Sequence, residues 1–186
     1  IYGLGLWLPT LIKQFGGSDL TTGFVSSVPY IFGIIGLLII PRSSDRLNDR
    51  YGHLAGLYVV GAIGLFFSAW LTVPVLQLGA LCLVAFSLFS CTAIFWTLPG
   101  RFFAGASAAA GIALINSVGN LGGYIGPFVI GALKEYTGNL ASGLYFLSGV
   151  MVFGLFLTVV VYRLLERKHV LKPTEFAASA RAATHP

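Results

Sequence analysis

Long apolar runs, broken by short polar stretches, divide this chain into elements of membrane-spanning length. Residues 1–12 form the first run, closing at Lys13, and residues 20–41 form the second. Residues 51–100 are too long for one crossing and read as two, parted near Pro74 and Gln77. Residues 102–133 make the fifth run and residues 136–162 the sixth. A crossing of ~30 Å of hydrocarbon takes about 20 helical residues, and each complete run exceeds that. The runs are apolar on every face, which a helix at the surface of a soluble domain is not. The pattern predicts an all-α polytopic membrane protein: a six-helix transmembrane bundle over residues 1–165, with its first helix short, and a mobile cytoplasmic tail over 166–186. The chain opens at Ile1, without methionine and inside an apolar pattern. The first helix is therefore expected to lack about 5–10 residues of a full span, and the chain is expected to be a fragment.

Charge tests that count independently. If the connections after the second and fourth runs share one side with the tail, that side holds Arg42, Arg46, Arg50, Arg101, Arg163, Arg167, Lys168, Lys172 and Arg181. The opposite side holds only Lys13 and Lys134. Basic residues accumulate on the cytoplasmic side of a membrane, so the asymmetry predicts that the N-terminal end and the tail lie inside. Miscounting by one run would scatter these charges over both sides. The expected location is the cell membrane, the inner membrane of a bacterium.

Composition agrees. Hydrophobic residues are 56% of the 186, charged residues only 9%, and the mean hydropathy is +0.88. A soluble domain would carry about 25% charged residues. The net charge of +5 does not mark a nucleic-acid binder, because the basic residues form no stripe interleaved with aromatics. Cys82 and Cys91 are nine apart, on opposite faces of one helix, so neither a disulfide nor a metal site follows. His53, His169 and His185 fall in loops or the tail, and no cofactor is implied. All six carboxylates lie near run ends or outside, which leaves no buried ionisable group to drive an enzyme.

The fifth run is the most informative. It carries Asn116 and Asn120 among a ladder of glycines and ends its ladder at Gly126-Pro127. Amides in hydrocarbon must find partners, so they face a protein interior or a wet cavity. On an ideal helix Ala109, Ile112, Asn116, Asn120, Gly123 and Pro127 share one face, within about 40° of Asn116. Ala108, Gly111, Gly119, Gly122 and Gly126 form a small-residue stripe about a quarter turn away, suited to packing on another helix. The amides either line a cavity or bond adjacent helices. Gly126-Pro127 is expected to kink the helix and act as a hinge. Trp96 and Thr92 share a face near the end of the fourth run, where Trp96 reads either as a cavity residue or as an interfacial anchor. Tyr30 follows Pro29 in the middle of the second run, and its hydroxyl needs a partner there.

Between the second and third runs lies Pro41-Arg-Ser-Ser-Asp45-Arg46-Leu-Asn48-Asp-Arg50-Tyr-Gly, read as a tight hairpin loop with five charges. Such a cluster can hold two helices in one conformation and release them in another, or simply anchor a solvated cytoplasmic turn.

This loop resembles the gating signature of the major facilitator superfamily, Gly-x-x-x-Asp-Arg-x-Gly-Arg-Arg. Asp45, Arg46 and Arg50 match it, while Pro41 and Asn48 stand where glycines are expected. The position after the second run is similar to the weaker copy between the eighth and ninth of the superfamily's twelve helices. Finer resemblance is to its anion:cation symporter family. It rests on Tyr2-Gly3 with Trp7-Leu8-Pro9 and Lys13, Pro29-Tyr30 with Ser44-Asp45-Arg46, Phe95-Trp96-Thr97-Leu98-Pro99, and the block from Gly111 to Gly123. The resemblance implies the C-terminal half of a proton-coupled symporter for small organic anions such as tartrate, phthalate or sugar acids, working by alternating access. It implies that Trp96 and Asn116 line the substrate cavity, helped by Tyr30, Thr92 and Asn120. Asp45, Arg46 and Arg50 would gate the cytoplasmic face. The partners implied are the organic anion with a proton, the lipid bilayer and an N-terminal six-helix bundle of the same protein, which would carry the ion coupling. A half-size dimerising carrier or channel, or a non-transporting membrane scaffold, is the alternative.

Overall fold

A computed structural model describes residues 1–102 and 106–167. They form seven helices and no strand: α1 (Tyr2–Lys13), α2 (Asp19–Leu47), α3 (Arg50–Trp70), α4 (Pro74–Phe95), the single turn α5 (Pro99–Phe102), α6 (Ala106–Thr137) and α7 (Ala141–Arg167). Five stretches are long and apolar enough to cross a membrane, with α4 and α5 counted together. The all-α, polytopic reading of the apolar runs therefore holds. The tail from residue 168 onward lies outside the described residues.

Local chemistry sets the helix ends. Ser18 caps α2, its Oγ accepting from the Thr21 N–H at 3.2 Å. Asp49 caps α3, its Oδ1 accepting from the Gly52 N–H at 2.8 Å. Pro74 opens α4 in the first turn, where a missing N–H loses nothing. Gly138, at φ +69°, turns the chain between α6 and α7.

The segment expected as a loop from Pro41 is different. α2 continues through Pro41 to Leu47, so Asp45 and Arg46 sit on its last turn and only Asn48 and Asp49 form the connection. Proline inside a helix removes one backbone donor and does not by itself end the helix. The end comes at Asn48, which adopts the left-handed conformation (φ 49°, ψ 31°) and donates its N–H to the Asp45 carbonyl at 3.3 Å. Two smaller boundaries also move. Gln77 lies within the first turns of α4, its Nε2 donating to the Ser68 carbonyl at 2.7 Å, and Tyr136 belongs to α6.

α2, α3, α4 and α7 pack into one block: α4 lies against both α2 and α3, and α3 against α7. Glycines bring these helices together. A Cβ on Gly36 would stand 2.7 Å from the Phe86 carbonyl oxygen, and one on Gly64 would stand 3.1 Å from that of Ala80. Ser87 Oγ donates from α4 to the Leu57 carbonyl at 2.5 Å, and Ser148 Oγ from α7 to the Ala62 carbonyl at 2.9 Å. Leu65, Leu81, Val84 and Ile94 are fully enclosed between them. α1 adds Leu8 and Leu11 to this core and reaches α6.

α6 is the least covered helix; Leu114, Val118, Leu121, Tyr124 and Phe128 are all exposed. The small-residue stripe expected to pack there is open at three of its positions among the described residues. Gly119, Gly122 and Gly126 have nothing within 4 Å of a Cβ position, whereas Gly123 carries the Tyr2 ring at 2.7 Å. Helical spacing fixes which residues share a face and leaves open which face a neighbour covers. α6 runs unbroken through Gly126-Pro127.

Candidate functional site

Between α1, α3, α4 and α6 lies a cavity of about 510 Å³. Its walls bring together four of the five sequence-predicted binding residues: Thr92 and Trp96 from α4 and its C-cap, and Asn116 and Asn120 from α6. Tyr2, Tyr58, Cys91 and Phe95 complete the lining that bears on the chemistry, and no charged side chain lies among the lining residues.

The polar groups of this cavity are unequally committed. Thr92 Oγ1 donates to the Leu88 carbonyl of its own helix at 2.9 Å, as hydroxyls on membrane helices do when no other acceptor is near. Tyr2 donates its phenol O–H to Asn120 Oδ1 at 3.4 Å while its ring rests on Gly123, so α1 holds one of the two amides in place. Asn116 has no hydrogen-bond partner among the described residues. Its two donors and two acceptor lone pairs remain available to whatever fills the cavity. Trp96 stacks edge-on against Phe95 with ring centroids 5.6 Å apart and stays 39% exposed, offering a flat aromatic surface.

Tyr30 is not in this cavity. It lines an adjoining, mostly apolar one of about 280 Å³ between α1, α2 and α4, edge-on to Phe89 at 6.1 Å. The two cavities share Ile1, Tyr2 and Leu88, so Tyr2 stands between them. Tyr58 is absent from the sequence-based set. The signal available was a phenol isolated in the apolar run of α3, weaker than an amide because tyrosine is also ordinary core material.

The charged residues gather where α2 ends, α3 begins and α7 ends. Arg50 Nη2 pairs with Asp45 Oδ1 at 2.7 Å across the two-residue turn, and the arginine side chain is only 16% exposed. Its Nε and Nη1 are buried without a partner. Arg101 donates to Asn48 Oδ1 at 3.2 Å, tying α5 to the same turn, and Tyr162 donates to Glu166 Oε1 at 2.6 Å. Arg46 is exposed and joins no ion pair among the described residues. Near the opposite ends of α1 and α6, Trp7 Nε1 donates to the Pro127 carbonyl at 3.4 Å, and Lys134 Nζ lies 5.0 Å above the same indole. The expected hinge at Gly126-Pro127 is thus fastened to α1.

The sequence profile described as Major Facilitator Superfamily matches residues 1–127. The chain is 75% identical over 169 residues to a protein of Acinetobacter baumannii named "Quinolone resistance transporter", covering 90% of this chain and 39% of that one. It is 41% identical over 163 residues to an Agrobacterium vitis protein named "Putative tartrate transporter", covering 88% and 36%. It is 32% identical over 156 residues to the Escherichia coli inner membrane transport protein RhmT, covering 83% and 36%. The chain thus spans less than two fifths of the length of each of these relatives.

Proposed function

The chain belongs to the major facilitator superfamily, and from that premise we propose that it is the C-terminal six-helix half of a proton-coupled transporter of small organic anions. The cavity bounded by Asn116, Asn120, Thr92 and Trp96 is the half of the substrate site carried by this bundle. One observation carries the reading: two amides on a membrane helix face a cavity, and Asn116 is left with its full hydrogen-bonding capacity there. Asn116 is exposed to the open cavity rather than buried, so its amide can exchange solvent for a polar ligand without breaking an internal bond. The exposed face of α6 suits a second bundle closing the cavity from the other side.

The remaining roles follow from what the lining lacks. Among the described residues it holds no carboxylate side chain to take the coupling proton and no cationic side chain to neutralise a substrate carboxylate, so both duties fall to the N-terminal half. Asp45, Arg46 and Arg50 gate the cytoplasmic face: Arg50 already holds Asp45 and keeps two buried donors for a carboxylate arriving in another conformation. Gly126-Pro127 serves as a hinge of α6 only when the bond from Trp7 to the Pro127 carbonyl is released, and Tyr30 lines a side chamber of the path. The charge asymmetry supports an orientation with the tail inside, and the name of the Escherichia coli relative, an inner membrane transport protein, favours a bacterial inner-membrane location. The names of two relatives, for tartrate and for quinolone resistance, select the substrates to try first.

The test is uptake by the full-length protein reconstituted in proteoliposomes with an imposed proton gradient, using radiolabelled tartrate and norfloxacin. Asn116→Ala should abolish uptake of the transported probe while protein abundance stays unchanged. Wild-type uptake per molecule in that variant would sink the site assignment. Lost abundance with normal uptake per remaining molecule would point to a scaffold role for α6.

A further inference from the structure

We infer that Tyr58, on α3, is a substrate-contact residue of this transporter and helps set its specificity. The inference rests on the reading of the central cavity as the transport site and adds a wall to it. α3 otherwise serves the packed block, its Leu54, Leu57 and Leu65 being buried. Tyr58 alone among its side chains reaches the cavity lining, beside Cys91 of α4.

The ring is partly buried and held from more than one side. It packs against both hydrophobic clusters of the bundle. On the α7 side it lies against Gly154, where a Cβ would stand 2.7 Å from the ring's Cε1 and 3.0 Å from Cζ. With a glycine admitting the ring this closely, the tyrosine has little rotamer freedom to lose when a ligand binds.

The hydroxyl is uncommitted. Nearby hydroxyls each have an acceptor: Ser87 uses the Leu57 carbonyl, Ser90 the Phe86 carbonyl, Thr92 the Leu88 carbonyl and Tyr2 the Asn120 side chain. Tyr58 has no hydrogen-bond partner among the described residues. Tyrosine O–H groups in enclosed surroundings usually find one. Two residues of the lining therefore carry uncommitted neutral polar groups, Tyr58 from the α3 side and Asn116 from α6. Both can donate. Together they suit an acceptor oxygen, a carboxylate or carbonyl, lying between the packed block and α6. They give that oxygen hydrogen bonds without a compensating charge, so discrimination at this point concerns where the acceptor sits on the substrate.

The test uses the full-length protein in proteoliposomes, with whichever of tartrate or norfloxacin the wild type transports. Tyr58→Phe removes only the hydroxyl and should raise KM about tenfold, the scale of one hydrogen bond to a charged acceptor, with kcat and abundance unchanged. Gly154→Ala pushes the ring from behind and should raise KM as well. In the Tyr58→Phe background the same glycine change should have a smaller effect, because the hydroxyl it misplaces is gone. An unchanged KM in Tyr58→Phe, alongside lost uptake in Asn116→Ala, overturns this inference and leaves the cavity reading standing. Reduced abundance at unchanged KM also overturns it, assigning Tyr58 to packing alone. Wild-type kinetics in both Tyr58→Phe and Asn116→Ala, or transport of neither probe, removes the cavity reading and this inference with it.

Discussion

Adding one methyl group at Gly36 should unfasten α2 from α4. The new Cβ would stand 2.6 Å from Ser90 Oγ and 2.7 Å from the carbonyl oxygen of Phe86. Neither neighbour can swing away: one is backbone, and the other donates its hydrogen bond to that same carbonyl at 2.7 Å. Relief requires the helices to part by about 0.7 Å, which restores the 3.4 Å of ordinary contact. A gap of roughly 0.5–1 Å forfeits about a quarter to a half of each dispersion contact along the seam. Overpacking of this kind costs about 1–3 kcal/mol, against which the helix propensity of alanine over glycine returns about 1 kcal/mol. The net loss is about 0–2 kcal/mol, up to roughly a thirtyfold shift of the folding equilibrium. Gly23→Ala, on the same helix with open space at its Cβ position, has the propensity gain without the clash. The assay is survival of the full-length protein in detergent after heating, read as the monodisperse peak in size-exclusion chromatography. Gly36→Ala should lose its peak at a lower temperature than wild type, and Gly23→Ala should not. Equal melting of the two variants would refute the reasoning, because it would mean that the α2–α4 approach is not held by close contact.

Two further outcomes are expected. Ser148→Ala removes the hydrogen bond from α7 to the Ala62 carbonyl and should cost about 0.6 kcal/mol, at most about 1.7 kcal/mol. Ser27→Ala, whose hydroxyl only bonds the Phe24 carbonyl of its own exposed turn, should leave the same heating curve in place; an equal loss in both would deny the interhelix bond any special role. Outside the membrane, Lys13 and Asp19 join α1 to α2 at 2.8 Å. The hydrogen bond from Lys13, and then its charge, hold the Asp19 carboxyl below its usual range; the same contacts hold Lys13 above its own. The depressed Asp19 stabilises the fold above the ordinary carboxylate range and loses that contribution as pH falls through its lowered value. The raised Lys13 contributes below the ordinary ammonium value and loses it as pH rises through its raised one. Wild type and Asp19→Asn should therefore differ slightly in melting temperature at neutral pH and low salt, and coincide in acid or at high salt, since both groups are exposed. A gap that persists at high salt would mean the pair does more than close a surface turn.

The helices were legible because membrane-length apolar runs leave little choice of structure: a backbone in hydrocarbon must satisfy its own hydrogen bonds. The amides and aromatic residues of the cavity were legible for a related reason, since Asn116 and Asn120 have no place on a lipid-facing surface. What escaped was phase. Gly119-Gly122-Gly126 and Gly33-Gly36 look equally suited to packing, yet only the second pair meets a neighbouring helix. Which stripe is covered depends on how each helix rotates against the others, and spacing within one helix carries no such information. Pro41 misled for a complementary reason. A proline announces a missing donor, whereas the end of α2 is set seven residues later by the left-handed Asn48. Tyr58 stayed hidden because the contact that positions its ring is with Gly154, almost a hundred residues away and on another helix.

The unequal cementing of the bundle bears on how such a molecule divides labour between rigidity and response. Four helices are joined by glycine seams and by serine bonds to backbone. α6, which carries Asn116, is joined to α1 through two aromatic side chains and, near its far end, to α1 and α7 through Ile130 alone among its buried core residues. Its amide protons should exchange with solvent deuterium well before those of α3 and α4, since local opening begins where buried contacts are fewest. If the proposed site is right, the wall that would read the cargo is the most yielding wall of the chamber. A ligand bound there would then stiffen α6 first, and through the Trp7 and Tyr2 fastenings α1 would stiffen with it.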